Sequence, residues 1–171
     1  LSPETKILDF GCGQGRFAIG LLHQETALGH YCGIDTDIYA IKWAQRWIQR
    51  FHPNFDFIHV NAYHARYNPD AEIRPALPVA GASFDIAILN SVFSHMLVDD
   101  VRYYLREINQ TLKEYGIIYI TAFIEENVPD VEENPKNYLD RELSGVLHRV
   151  RYAKPFFFDL VEKSGYRITD F

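Results

Sequence analysis

The amino-acid sequence predicts a single α/β domain with a doubly wound, mostly parallel sheet and helices on both faces. Three observations predict it. A strand, a glycine turn and a helix follow one another between Lys6 and Gln24. Short apolar runs then alternate with helical patterns along the chain, which is the mark of successive βαβ units. The run Ser83 to Asn90, S-F-D-I-A-I-L-N, has the unbroken apolar centre of a strand buried on both sides in a parallel sheet.

Composition narrows the function. A length of 171 residues suits one domain, residues 1–171, with a sizeable core. The formal net charge of -6 disfavours nucleic acid, whose phosphates are held by clustered Lys and Arg, and favours a small-molecule substrate. Cys12 and Cys32 show no metal-ligand spacing, so no metal and the reduced thiols of a cytoplasmic protein are expected. No apolar run reaches membrane-spanning length, so no membrane partner is expected. The chain opens on Leu1 almost directly at its first strand, and is expected to be a domain trimmed close to its core.

In the first unit, Ile7 and Leu8 begin a strand, and Gly11, Gly13 and Gly15 follow at alternate positions. Helical spacing of Phe17, Ile19, Leu21 and Leu22 then predicts a helix from about Gly15 to Gln24. Such a turn lacks Cβ atoms and ends on unpaired helical N–H groups, so a ligand can lie against bare main chain. His30 to Asp35 reads as the second strand, closing on an acid placed to hold a ribose diol. Asp37 caps a helix over about Ile38 to Phe51, with Trp43, Trp47 and Phe51 on its apolar face and Lys42, Arg46 and Arg50 in solvent. Pro53 and Asn54 stop it, and Phe55 to Val60 alternates as the third strand.

Tyr67 to Ala82 holds three prolines and reads as a surface connection to the fourth strand. A helix from about Val98 to Lys113 follows, capped by Asp99 or Asp100, then a turn at Tyr115 and Gly116 and a fifth strand. The segment 125–152 is acidic at its start and basic at its end, and its place after the fifth strand marks it as a lid over the substrate. Phe156 to Ser164 reads as a short helix ended by Gly165, and Tyr166 to Phe171 as the start of a strand.

The stretch D-F-G-C-G-Q-G, Asp9 to Gly15, resembles the first motif of the class I S-adenosylmethionine-dependent methyltransferases, an acid followed by G-x-G-x-G. A dinucleotide fingerprint would instead want Gly or Ala where Arg16 stands. Ser83 to Met96 is similar to the fourth-strand region of the same family. Tyr104 to Phe123 is similar to its next helix, turn and fifth strand, with Tyr115 departing from a frequent glycine. The resemblance implies a Rossmann-like methyltransferase fold and S-adenosylmethionine as cofactor. It places Asp9, Gly11, Cys12, Gly13 and Gly15 at the cofactor in the first turn, with Asp35 and Thr36 after the second strand. Asn61 and Ala62 would meet adenine, with Asn90 and Ser91 after the fourth strand. The family's further strand beside the fifth is not reached, so truncation is expected at both ends.

Methyl transfer from a sulfonium is an in-line displacement, so alignment supplies most of the catalysis. His95 follows the fourth strand and is the candidate base; its alternative is a ring packed under the helix. Phe93, His95, Arg151 and Tyr152 are the candidate substrate residues. Arg149, Arg151 and Lys154 would either receive an anionic acceptor or form a solvated face. The expected activity is methyl transfer to an oxygen or nitrogen of a small molecule. Its rivals are a module that binds the cofactor without turnover and a nicotinamide-dependent oxidoreductase.

Overall fold

The computed structural model describes residues 1–64, 67–71, 73–136 and 149–171. Strands β1 (Lys6–Phe10), β2 (His30–Asp35), β3 (Phe55–His59), β4 (Phe84–Leu89) and β5 (Leu112–Ile120) form one sheet in the order β3-β2-β1-β4-β5. All four pairings are parallel. The chain therefore winds outward from β1 in one direction and from β4 in the other. The crevice between them, at the carboxyl ends, is where such sheets bind ligands.

Alternation along the buried strands sends side chains to both faces. Ile7, Tyr31, Phe55 and Phe57 pack under helices α1 (Arg16–His23) and α2 (Ile38–Ala44), against Ala18, Leu21, Ile41 and Ala44. Leu8, Phe10, Ile34 and Leu89 pack on the other face under α3 (Val98–Thr111) and α4 (Lys154–Lys163). A second sheet of β6 (Phe123–Glu125), β7 (Val131–Glu133) and β8 (Val150–Ala153) runs in the order β6-β8-β7. Among the described residues no helix is long and apolar enough to cross a membrane.

Several expectations are corrected. The helix predicted to Phe51 leaves α geometry at Ala44 and continues as a π-helical turn, Gln45–Gln49. That turn adds a residue to the period, so Trp47 and Phe51 are 52% and 62% exposed instead of buried; Trp43, in the α-helical part before it, is 37% exposed. Gln45 and Gln49 face the sheet in their place. Gln45 Nε2 donates to the Phe57 carbonyl at 2.7 Å, and the Phe57 N–H donates to Gln49 Oε1 at 3.0 Å. Two side-chain amides thus cover the free edge of β3, which would otherwise invite another strand.

Neither Asp99 nor Asp100 caps α3; Leu97 holds that position with no side-chain bond, and the two carboxylates sit inside the first turn, where the helix dipole favours them. The turn expected at Tyr115 and Gly116 is a bulge within β5. Phe84 pairs with Leu112 and Ile86 with Ile117, so extra residues are accommodated in one strand. Residues 166–171 form no strand. Gly165 does end α4, in a left-handed conformation at φ 95°.

Candidate functional site

The glycine turn is shaped by its neighbours as much as by its own sequence. Gly11 and Cys12 both donate their N–H groups to the Ile34 carbonyl, at 2.8 and 3.1 Å, which stitches the turn to the end of β2. Gly13 N–H donates to Asp35 Oδ2 at 2.7 Å, and Asp37 N–H to Asp35 Oδ1 at 2.8 Å. An ionised carboxylate offers about four acceptor positions, so two remain for a ligand. Asp35 is therefore both a clamp on the turn and an acceptor facing the crevice.

A cavity of about 850 Å³ opens above the carboxyl ends of the strands. Of the residues expected at a cofactor, Gly11, Gly13, Asp35, Thr36, Ala62, Asn90 and Ser91 line it. His95 lines it too. The site is held by contacts between distant parts of the chain. Thr36 Oγ1 donates to the Ala62 carbonyl at 2.5 Å, tying the ends of β2 and β3 together. Thr121, just past β5, accepts from Ser91 N–H at 2.7 Å and so fixes the turn after β4; Ser91 itself is left-handed, at φ 59°. Val92 then lies against the bare face of Gly11.

The other candidates do not reach the cavity. Asp9 is buried beneath the turn, where Tyr31 Oη donates to it. Cys12 points the same way, and a Cβ on Gly33 would meet its Sγ at 2.8 Å. Gly15 is the pivot into α1: its φ is 80°, and a Cβ there would meet Ile48 and Phe57. Asn61 is turned out because Ala62 N–H closes a tight turn onto the Val60 carbonyl, at 2.7 Å; its side chain accepts from Asn68 instead. Tyr63 and His64 take the lining position at that strand end.

Three substrate candidates are structural. Phe93 is fully buried in the core under α3. Arg151 bridges β6 and β7, with Nη1 on Glu125 at 3.1 Å and Nη2 on Glu132. Tyr152 is fully buried, and its Oη donates to the carbonyls of Phe93 at 3.3 Å and Met96 at 3.1 Å. Burial pushes its phenol up, so it stays a donor. The Tyr152 hydroxyl thereby ties the small sheet to the Phe93–His95 turn that presents His95. Tyr152→Phe strands two carbonyls, and is expected to destabilise the fold by about 1–2 kcal/mol in urea denaturation.

Residues that sequence reasoning did not place complete the lining. Asp100 and Tyr104 stand one turn apart on α3, and Arg74 reaches Asp100 from the connection before β4. Glu133 and Asn134 bring the 125–152 segment to the rim, although residues 137–148 lie outside the described residues.

A parallel sheet that winds both ways from a glycine turn, with an acid at the neighbouring strand end, defines a class of α/β proteins that bind nucleoside cofactors. Comparison narrows it. The chain belongs to the methyltransferase domain family, which it matches over residues 1–157, and so to the class I S-adenosylmethionine-dependent methyltransferases. It is 29% identical to the arsenite methyltransferase of Mus musculus over 148 residues, covering 85% of this chain and 38% of that protein. The Rattus norvegicus arsenite methyltransferase is 31% identical over 118 residues, 69% of this chain and 31% of that one. The chain thus spans well under half of these relatives.

Solved structures share the fold. The cyclase SpnF superposes with a TM-score of 0.71 at 21% identity, over 99% of this chain and 53% of that one. A methyltransferase of Burkholderia thailandensis, with 1,6-didemethyltoxoflavin and S-adenosylhomocysteine bound, gives 0.65 at 20% identity, over 96% and 61%.

Proposed function

We propose that this chain binds S-adenosylmethionine and transfers its methyl group to an oxygen or nitrogen of a small-molecule acceptor. The observation that carries the reading is the cavity that brings Gly11, Gly13 and Asp35 into one space with His95 and Tyr104. Its volume of about 850 Å³ lies high in the range of small-molecule sites, which suits a cofactor beside a compact acceptor. The residues fit the cofactor. Asp35 keeps two acceptor positions for a ribose diol, and an added Cβ at Gly13 would project into open space, so nothing obstructs a ligand there. When bound, the cofactor supplies an electrophilic methyl on sulfur.

The chain's own work is to align and to shield. Tyr63 and His64 cover the end of β3, Asn90 and Ser91 border the space after β4, and Glu133 and Asn134, from the expected lid segment, stand at the rim. His95, presented by the turn that Tyr152 holds, takes the acceptor's proton where the acceptor carries one. Arsenite, named for two relatives of which this chain spans 38% and 31%, is a thiol-seeking acceptor, and neither cysteine of this chain lines the cavity. Cys12 and Cys32 are buried, and burial first, then nearby carboxylates, push both thiols up, Cys32 to about 12.

The SpnF likeness shows that this sheet hosts other reactions, so binding must be measured on this protein. Calorimetric titration of S-adenosylmethionine, S-adenosylhomocysteine and NAD into the full-length protein is the test. The first two are expected to bind and NAD is not. Asp35→Ala is expected to weaken both by about 30-fold or more, through the lost acceptor and the released turn. Binding of NAD alone, or of nothing, sinks the reading; cofactor binding with no acceptor ever methylated would leave a binding module.

A further inference from the structure

Two of the three cations expected to meet an anionic acceptor, Arg151 and Lys154, are engaged elsewhere. Arg151 is held between Glu125 and Glu132, and Lys154 lies 4.3 Å from the centre of the Phe171 ring. Two arginines line the cavity: Arg16, which opens α1 after the glycine turn, and Arg74, which stands beside Asp100 and Tyr104 of α3. Arg74 Nε donates to Asp100 Oδ1 at 2.6 Å, and among the described residues its two terminal nitrogens carry no hydrogen bond or ion pair. The guanidinium is planar, so a bond at Nε fixes its orientation and leaves the two terminal nitrogens as a coplanar fork that can meet a carboxylate with two bonds. The backbone is also committed to this arrangement. Arg74 has a left-handed φ of 57°, as do Ser91 and Asn134 at 59° and 46°, and all three line the cavity. Non-glycine residues hold such conformations where the surrounding structure imposes them, often at ligand sites.

Resting on the methyltransferase reading, we infer that the acceptor is a small organic acid whose carboxylate is received by the terminal nitrogens of Arg74. Its body lies against Tyr67, Tyr104 and Met96, which give the same space an aromatic and apolar wall. Asp100 is the positioning residue: it fixes the fork and leaves the pair without net charge. Glu133 adds a further carboxylate at the rim. A dianion such as a phosphate ester would meet that negative field twice over, whereas a carboxylate gains two bonds against one repulsion. The site therefore discriminates by geometry more than by charge.

The test titrates benzoate, benzamide and phenyl phosphate into full-length protein saturated with S-adenosylhomocysteine. Benzoate is expected to bind about 10-fold tighter than benzamide, the worth of one charge-assisted pair, and tighter than phenyl phosphate. Arg74→Gln is expected to erase the preference. Arg74→Lys keeps the charge without the fork and is expected to recover little of it. Affinity for S-adenosylhomocysteine reports that each variant is folded. Equal binding of benzoate and benzamide, binding of neither, tightest binding of phenyl phosphate, or a preference surviving in Arg74→Gln overturns the assignment. Failure of S-adenosylhomocysteine to bind the unaltered protein strikes instead at the cofactor reading beneath it.

Discussion

Gly11→Ala is expected to abolish measurable binding of S-adenosylhomocysteine and to destabilise the fold by about 2–4 kcal/mol, which is the sum of a left-handed backbone penalty and overpacking. Gly11 holds φ at 78°, where a Cβ crowds its own carbonyl. That Cβ would also stand 2.5 Å from Val92 Cγ2, too close for any real contact. Relief requires either the turn or the segment after β4 to move. Both line the cavity, so the ligand site is lost whichever yields. Gly13→Ala is the control. Its φ of 54° carries the backbone penalty, but a Cβ there meets nothing within 4 Å, so a cost of only about 1–2 kcal/mol is expected. Urea denaturation of the two variants orders them, and equal costs would mean that Val92 does not press on the turn as described.

The same two glycines show what was legible in the sequence. Strand, turn and helix at the start could be read because glycines at alternate positions, set between an apolar run and a helical pattern, force the chain to turn there. The second strand, β2, falls on the predicted residues, His30–Asp35. An apolar run bounded by polar residues located β4 in the same way. What failed depended on contacts between distant residues. Trp47 and Phe51 fit the buried face of an ideal helix, but the π turn and the two glutamines that answer the edge of β3 moved them outward. Arg151 looked available until the structure put Glu125 and Glu132 beside it from flanking strands. Arg74 and Asp100 are 26 residues apart, and no local pattern links them. Asn61 stood at the right strand end, yet a three-residue turn centred on it faced it away.

Asp9 carries the other large effect, and its sign runs against the usual one for a carboxylate. Burial raises its pKa from 3.8 to about 6; the hydrogen bond from Tyr31 pulls it back, and the charge of Asp35 adds to the rise. The folded protein therefore keeps a proton that the unfolded chain releases between about pH 4 and pH 6. With more protons bound in the native state, stability falls as pH rises through that window. The contribution is fully present below the unfolded pKa and is gone above about 6. A rise of this size corresponds to about 3 kcal/mol. Asp9→Asn stays neutral throughout and still accepts from Tyr31, so it lacks this dependence. Denaturation of both proteins from pH 4 to pH 7 is expected to show wild type losing about 2 kcal/mol relative to the variant, because part of the loss already lies below pH 4; titrations not coupled to Asp9 cancel in the difference. A constant difference would mean that Asp9 ionises as an ordinary carboxylate. The expected slope would show instead that the turn rests on a buried acid half-charged near pH 6, one that Tyr31 alone does not fully offset.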